Sequence, residues 1–231
     1  MKTKQSKSRF ETIADNLNRI KSSLPPSVQL VAVSKFHPAD AVLEAYNAGQ
    51  RVFGESRVAE LLDKAQTLPA NIAWHFIGHL QTNKVKQLVG HVALIESVDS
   101  QRLLDLIDDI SLKKNVITDV LMQVHVAAED TKFGWSPDEL LDFFRSGAYK
   151  ALHATRIRGL MGMATNTDDI SRIDADFALL QALFVEIGTI ANDLTEFNIL
   201  SMGMSDDYPL AINHGASHIR IGSAIFGPRS L

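Results

Sequence analysis

The sequence predicts a closed (β/α)8 barrel, and three observations support this fold class. Eight short runs rich in Val, Ile and Leu alternate with segments of helical spacing. The runs are apolar on nearly every residue, as strands of a parallel sheet covered on both faces are. No linker or composition shift divides the 231 residues, so 1–231 is expected to be one domain. A doubly wound open sheet is the alternative, but the loop VSKFHPAD after the first run lacks the glycine-rich turn that such sheets usually carry.

The predicted strands are evenly distributed along the chain. A leading helix is expected over about 9–23 and the longest helix over about 168–194, while 1–8 is expected to be a flexible basic tail. In chain order the strands are QLVAVS, RVFG, IAWHFIG, HVALIES, DVLMQVHVA, IRGLMGMA, NILSMGM and HIRIGSA.

Helix start and stop signals lie between these strands. Pro38 stands where the helix after the first strand should begin, and Gly49 stands just past its end. Ser56 is a candidate N-cap after the second strand. Ser136 is expected to cap the helix after the fifth strand, with Pro137 at its first position.

The composition excludes several classes of function. Lys and Arg total 23 and Asp and Glu total 27, which gives a net charge of −4, so no global positive field favours nucleic acid or anionic lipid. The absence of Cys excludes disulfides, zinc–thiolate sites and thiol catalysis. No apolar run follows the basic N-terminus and none reaches the length of a membrane span, so the sequence favours a cytoplasmic protein.

In a barrel of this type, chemistry is expected at the carboxyl ends of the strands. Topology alone therefore selects a set of polar candidates that follow the strands. They are Ser34, Lys35, His37, Glu55, Ser56, His79, Gln81, Asn83, Ser97, His125, Thr165, Ser205, Asp206, Asp207, Arg220 and Ser223.

Lys35 ends an otherwise apolar strand. Desolvation lowers the pKa of a lysine in such a place, which makes its neutral amine available as a nucleophile towards an aldehyde. The structural alternative is a lysine that extends to solvent or pairs with Glu55.

Two glycine–serine turns predict a phosphate site. Gly203 and Ser205 follow the seventh strand, and Gly222 and Ser223 follow the eighth, where small barrels often offer backbone N–H groups to a phosphate. The alternative is that Ser205 merely caps the next helix. Arg220 lies within the last strand, and its structural alternative is an ion pair with a glutamate on a neighbouring strand.

The histidines carry a weaker signal. His75 and His79 are four residues apart on a predicted strand and its exit rather than on a helix face, so structural histidines are favoured over metal ligands. No metal site is expected.

Six motifs together resemble one known family, the pyridoxal phosphate homeostasis proteins (PROSC or YggS-like). They are VAVSK, FGES, WHFIGHLQTNK, RGLMGMA, LSMGMSDD and HIRIGSAIFGPR. The resemblance runs from about residue 31 to 229 and implies a fold type III barrel like the N-terminal domain of alanine racemase. It implies that Lys35 holds pyridoxal 5′-phosphate (PLP) as an internal aldimine and that Arg220 faces the pyridine nitrogen.

The same resemblance implies the remaining cofactor contacts. Ser205, with Met204 beside it, and the pair Gly222 and Ser223 would bind the phosphate. Ser56 stands where the family usually has an asparagine near the cofactor, and His125 replaces another asparagine in the fifth strand. Both replacements affect hydrogen bonds near the ring or an incoming amine.

The implied function is PLP binding in vitamin B6 and amino-acid homeostasis, without established catalysis and with no catalytic residue. A donor-only arginine at the pyridine nitrogen disfavours ring protonation and weakens the electron sink that PLP enzymes need. The implied partners are PLP, amino acids and transient PLP-acceptor enzymes, and the expected state is a monomer. A low-activity amino-acid racemase and a Schiff-base aldolase of sugar phosphates are the alternatives.

Overall fold

The eight predicted strands close into a single parallel barrel in the computed structural model, which describes residues 12–128 and 133–228. Each strand pairs in parallel with its neighbours in sequence, and the last pairs with the first. The predicted fold class is confirmed. The strands are β1 (Gln29–Val33), β2 (Val52–Glu55), β3 (Ala73–Phe76), β4 (Leu94–Val98), β5 (Thr118–Val124), β6 (Thr155–Gly162), β7 (Ile199–Ser201) and β8 (His218–Ile221).

Helices cover the outside of this barrel. They are α1 (Ile13–Ser23), α2 (Ala39–Asn47), α3 (Val58–Thr67), α4 (Val85–Leu88), α5 (Gln101–Lys114), α6 (Pro137–Arg145), α7 (Ile170–Ile190), α8 (Tyr208–Asn213) and α9 (Ser223–Phe226), with short 3₁₀ turns at Thr82–Lys84 and Ala148–Ala151. The expected leading helix begins later than predicted, and the tail 1–8 lies outside the described residues. Within 12–128 and 133–228, no helix has both the length and the apolar character that crossing a membrane requires.

Local sequence signals set most of the helix ends. Ser136 caps α6 through a capping box with Glu139, and Pro137 begins the helix as predicted. Gly49 follows the end of α2 with φ of +90°, a backbone conformation that glycine adopts without strain. The expectation for Ser56 is wrong, because Arg57 occupies the N-cap position of α3.

Close packing explains the position of Ser56. Its carbonyl oxygen would lie 2.3 Å from a Cβ added at Gly78, so the two backbones touch at the ends of β2 and β3. Ser56 therefore remains part of the strand exit, and the helix begins two residues later.

The core has an outer and an inner part. The outer part lies between strands and helices and holds most of the buried apolar side chains. The inner part is a separate cluster of Leu94, Leu121 and Met161 inside the barrel. These three side chains are at most 3% exposed, so they fill this part of the interior as a packed core rather than a pore.

Candidate functional site

Lys35 lies in a tight turn two residues beyond β1, at the end of the barrel where all strands finish, here called the barrel mouth. The turn is bonded to its surroundings on both sides of the lysine. Ser34 N donates to Gly54 O over 3.0 Å, and His37 N donates to Ser34 O over 3.1 Å. Phe36 has φ of +67°, in the left-handed region that non-glycine residues rarely adopt. The Lys35 backbone is thus held by several independent contacts.

A buried ion cluster lies behind this turn. Lys64 on α3 donates to Glu55 Oε1 over 2.7 Å, to Glu60 Oε1 over 2.8 Å and to Ser34 O over 2.9 Å. Ser34 Oγ also donates to Glu55 Oε1, over 2.6 Å. Burial raises the pKa of Glu55, although the hydrogen bonds from Lys64 and Ser34 oppose that effect. The carboxylate of Glu55 thus accepts from Lys64 and Ser34, behind the mouth.

The Lys35 turn touches the loop predicted to bind phosphate. The His37 ring stacks on Phe226 of α9, with 5.1 Å between ring centroids. A Cβ added at Gly222 would lie 3.1 Å from Val33 O, so the β8 exit and the end of β1 are in close contact. The sequence prediction that Lys35 and this loop share one mouth therefore matches the observed packing.

The loops after β7 and β8 meet at their serines. Ser223 Oγ donates to Ser205 Oγ over 3.1 Å. Gly203 has φ of +92°, and a Cβ there would lie only 2.7 Å from the Cβ of Ala211. Because the first N–H groups of a helix have no acceptor within it, Ser223 and Ala224 at the start of α9 offer backbone donors beside these hydroxyls.

The alternative role for Ser205 is wrong. Asp207, not Ser205, is the N-cap of α8. Asp207 Oδ1 instead accepts from Met204 N over 2.6 Å, which fixes the loop around Ser205. Met204 is exposed at this loop, and Asp206 is exposed beside it.

Arg220 lies inside the barrel, where its side chain is almost fully buried. Its Nη1 donates to Ser201 Oγ over 2.6 Å and its Nη2 donates to Gly162 O over 2.9 Å. Nη1 is also 3.7 Å from Glu96 Oε2. The predicted alternative of an ion pair is therefore partly right: the glutamate exists, but it lies on β4 across the barrel rather than on a neighbouring strand.

Glu96 organises the charges of this interior. Its Oε1 is 2.6 Å from His75 Nδ1, and its Oε2 accepts from Ser201 Oγ over 2.6 Å. Burial opposes its ionisation, but the hydrogen bonds from His75 and Ser201 and the charges of His75 and Arg220 lower its pKa to about 2. Burial is also the main cause that lowers the pKa of His218 to about 4.

Other predicted mouth residues have different surroundings. Ser97 is the last residue but one of β4, at the carboxyl end of the strand as predicted, but its side chain is buried. Thr165 donates through Oγ1 to Asp176 Oδ2 over 2.6 Å. His125 is half-buried, and its backbone N–H donates to Trp135 O. Gln81 and Asn83 are exposed beyond β3.

The two spaced histidines serve different partners. His75 bonds Glu96 inside the barrel, whereas His79 bonds Asp99 over 3.0 Å and stacks on Phe133 at the surface. Across 12–128 and 133–228, no group of three or more His, Cys, Asp or Glu side chains could hold a metal ion. The structural role predicted for these histidines agrees with these contacts.

Four polar residues of the site were missed from the sequence. Glu96 and Ser201 lie within strands that read as apolar runs, and only their polarity at buried positions could have marked them. Lys64 carries a clearer signal, because it follows Val58 and Leu61 at intervals of three on the buried face of α3. Its partner Glu60 lies four residues before it on the same helix.

The residues present fit PLP. A lysine at the mouth can bond an aldehyde carbon, and paired hydroxyls with backbone N–H groups suit a phosphate dianion. Glycine at 203 and 222 lets these two loops pack closely on α8 and β1, because a Cβ would lie 2.7 Å from Ala211 Cβ and 3.1 Å from Val33 O, respectively. The charged guanidinium of Arg220 can donate to a ring nitrogen that acts as an acceptor.

Comparisons with known proteins agree with the fold and the motifs. The family described as "Alanine racemase, N-terminal domain" matches residues 9–230. The chain is 37% identical over 228 residues to the pyridoxal phosphate homeostasis protein of Schizosaccharomyces pombe, covering 95% of this chain and 94% of that relative.

Solved structures give the same result. PipY of Synechococcus elongatus PCC7942, in a structure without PLP, superposes with a TM-score of 0.89 at 40% identity over 94% of this chain and all of that chain. A PipY structure with PLP bound gives a TM-score of 0.85 at 39% identity over the same shares of the two chains. An alanine racemase of Clostridium difficile, at 13% identity and a TM-score of 0.73 over 94% of this chain and 55% of its own, shares the fold.

The closed parallel barrel and the family match over residues 9–230 place the chain in the class of barrels related to the alanine racemase N-terminal domain. Within that class, the chain belongs to the family of pyridoxal phosphate homeostasis proteins. The family predicted from the six motifs is confirmed.

Proposed function

We propose that this protein binds PLP covalently through Lys35 and acts in PLP and amino-acid homeostasis without catalysing a reaction of its own. The observation that carries this proposal is the contact between the Lys35 turn and the loop after β8, whose Ser223 is hydrogen-bonded to Ser205 in the loop after β7. His37 stacks on Phe226, and Gly222 packs against Val33, so an amine and a phosphate cradle share one mouth. An aldehyde that also carries a phosphate satisfies both ends.

Each end has a separate task. Lys35 would supply the amine: its Nζ would bond to the aldehyde carbon, and the aldehyde oxygen would leave as water. Ser205 donates its hydroxyl hydrogen bond to the phosphate, and Ser223 turns its hydroxyl from Ser205 to the phosphate when the ligand binds. Met204 and Gly222 lie in the same two loops. Ser56, at the exit of β2, contributes a further cofactor contact at the position where the family usually has an asparagine.

Arg220 supports a binding role rather than catalysis. When bound in an enzyme, PLP supplies an electron sink that is strongest with a protonated pyridine nitrogen. Arg220 can only donate, and the buried carboxylate of Glu96 with Ser201 holds its guanidinium in place. Facing the pyridine nitrogen, it would keep that nitrogen unprotonated and the ring a weak sink.

Tyrosines bear on the racemase alternative, because racemisation needs a second acid or base opposite the lysine. Tyr46 OH donates to Asn71 and Tyr149 OH donates to Asp193, both at the opposite end of the barrel from the mouth. Tyr208, in contrast, begins α8 on the mouth side. Its position makes a direct test of racemisation necessary.

The experiment combines spectroscopy with trapping. Cofactor-free protein is mixed with PLP, the visible absorption band is recorded, and borohydride reduction is followed by peptide mapping. We expect the band in the wild type, the label on Lys35, and neither in a folded Lys35→Ala variant. Label on another lysine would overturn the assignment, and a wild type that binds sugar phosphates covalently but not PLP would favour the aldolase.

Chiral analysis then separates a carrier from an enzyme. PLP-loaded protein is incubated with L-alanine and with other L-amino acids, and the D-enantiomers are measured. We expect none above the level of free PLP. D-enantiomer that appears with the wild type and disappears with Tyr208→Phe would establish the racemase alternative.

The setting of the protein is part of the same proposal. We propose that 1–231 act as one PLP-binding domain, as a monomer in the cytoplasm, with amino acids and PLP-acceptor enzymes as transient partners. Light scattering of the purified protein tests the monomer directly.

A further inference from the structure

The backbone on both sides of Lys35 is bonded to α3. Before the lysine, Lys64 Nζ donates to Ser34 O over 2.9 Å. After it, Phe36 N donates to Glu60 Oε1 over 2.8 Å. Glu60 Oε1 also accepts from Lys64 over 2.8 Å, so one connected pair of side chains holds the turn from both ends.

Phe36 requires such support. Its φ of +67° places a bulky residue in the left-handed region, which costs about 1–2 kcal/mol for an L-amino acid. Backbone in such a conformation persists only where its surroundings determine it, and these places cluster at functional sites. Two contacts from α3 and its N-cap help to hold it: the hydrogen bond to Glu60, and the Arg57 guanidinium, 4.6 Å from the centre of the Phe36 ring.

The hydrogen bonds of the buried Lys64 ammonium group indicate a role other than packing. Its side chain is 6% exposed and has three acceptors, so each ammonium proton has a partner. Glu55 Oε2 is buried without a hydrogen-bond partner in the same cluster. A buried ion cluster is weak evidence for stability, since apolar residues of the same volume often stabilise as well or better. What an apolar residue could not do is bind the carbonyl before Lys35.

We propose that Glu60 and Lys64 are positioning residues for Lys35, which hold the turn in the one backbone conformation that lets its amine meet the aldehyde of PLP. The inference rests on the proposed function of Lys35. It predicts that loss of these hydrogen bonds weakens covalent PLP binding even where the barrel stays folded.

Glu60 offers the sharper variant, because its side chain is 21% exposed and its loss should be tolerated by the fold. Glu60→Leu removes the acceptor for Phe36 N and Lys64, whereas Glu60→Gln keeps a carbonyl oxygen in that position. Lys64→Met removes the bond to Ser34 O from the other side and provides a second, independent variant.

A matched control exists at the other end of the barrel. Asp108 on α5 likewise accepts backbone N–H groups of a loop, from His153 over 3.1 Å and from Ala154 over 2.8 Å. Asp108→Leu therefore removes a similar interaction ahead of β6, far from the mouth. It reports what loss of stability alone does to PLP binding.

The measurements are the apparent Kd for PLP from the visible band, the unfolding midpoint, and hydrogen exchange at the Phe36 amide in cofactor-free protein. Because a hydrogen bond to a charged group is at stake, we expect Glu60→Leu and Lys64→Met to raise the Kd by at least about tenfold. We expect Glu60→Gln and Asp108→Leu to stay within about twofold of the wild type. Hydrogen exchange at the Phe36 amide should be faster in Glu60→Leu than in the wild type and unchanged in Glu60→Gln.

Three results would overturn the inference. An unchanged Kd in folded Glu60→Leu and Lys64→Met would show that the turn does not depend on α3. An equal loss in Asp108→Leu would assign the effect to stability. A wild type that forms no borohydride-stable bond at Lys35 would overturn the proposed function itself, and this result is distinguishable because it appears before any variant is made.

Discussion

Arg220 and Glu96 lie on opposite strands of the barrel and approach to 3.7 Å through its interior, with the hydroxyl of Ser201 bonded to both. Both side chains are almost fully removed from solvent. The pair therefore places one positive and one negative charge inside the barrel.

Neutralising Glu96 should lower the free energy of unfolding. Glu96→Gln keeps the shape of the side chain but leaves Arg220 buried without its counter-charge, and breaking a buried pair in this way costs about 3–5 kcal/mol. Urea unfolding at neutral pH measures the change. Glu186→Gln is the control, since it removes a surface partner of Arg145 and should change the free energy of unfolding by at most about 1 kcal/mol. Equal stability of the two variants would contradict the prediction.

Acid should remove the same stabilisation. The pKa of Glu96 lies at about 2 in the folded protein, below its ordinary value of 4.5. The unfolded chain binds this proton first, so the stabilisation is complete above about pH 4.5 and disappears as the pH falls towards 2; the contribution is about 3 kcal/mol. The measurement is urea unfolding at a series of pH values from about 5 down to about 2. Over this range the free energy of unfolding should fall more steeply for the wild type than for Glu96→Gln.

His218 should make the protein less stable at mildly acidic pH. Burial lowers the pKa of its imidazole from 6.5 to about 4. Between these values the unfolded chain carries the proton and the folded chain does not, so the free energy of unfolding decreases as the pH falls from about 6.5 to about 4, by up to about 3 kcal/mol. His218→Gln should flatten this part of the curve. The exposed His91→Gln is the control and should parallel the wild type; a parallel curve for His218→Gln would refute the assignment.

The serine pair should discriminate PLP from pyridoxal. Ser205→Ala combined with Ser223→Ala removes two hydroxyl donors, each worth roughly 1.5–3 kcal/mol when bonded to a charged phosphate. Titrations with both ligands should show a large loss for PLP and little for pyridoxal. Ser22→Ala, on the exposed side of α1, is the control for the substitution itself. An equal loss for the two ligands would mean that these serines do not contact the phosphate.

Substitution of two glycines by alanine distinguishes the cost of backbone strain from the cost of a steric clash. Gly49 and Gly203 have nearly the same φ, +90° and +92°, but a Cβ has open space at Gly49 and lies 2.7 Å from Ala211 Cβ at Gly203. Gly49→Ala should cost about 1–2 kcal/mol through backbone strain. Gly203→Ala should cost more and should also weaken PLP binding by displacing the start of α8. Thermal unfolding and PLP titration of both variants test this, and similar values for the two would exclude a steric role for Gly203.

The sequence predicted features that neighbouring residues determine. Ser136 and Pro137 mark the start of α6 because capping and a preset φ act within one turn. Lys35 and the two serine loops were predicted as mouth residues because a parallel barrel brings the ends of all its strands together.

Contacts across the fold could not be predicted in the same way. Glu96 meets Arg220 only because β4 and β8 face each other across the interior, and nothing near either residue in the sequence specifies that partner. Ser56 failed as a predicted cap because Gly78, on another loop, packs against its backbone. Lys64 was detectable from helical spacing, but its bond to Ser34 O depends on where α3 packs.

The pairing of β8 with β1 joins residues that are far apart in the chain. Gln29 lies beside His218, and Gly222 packs against Val33. Lys35 follows β1 and Ser223 follows β8, so the two ends of the proposed cofactor site come from strands far apart in the chain. Closing so long a loop costs only modestly more entropy than closing a shorter one. The proposed cofactor site therefore comes into existence only when β8 pairs with β1, so that bound PLP would report a closed barrel.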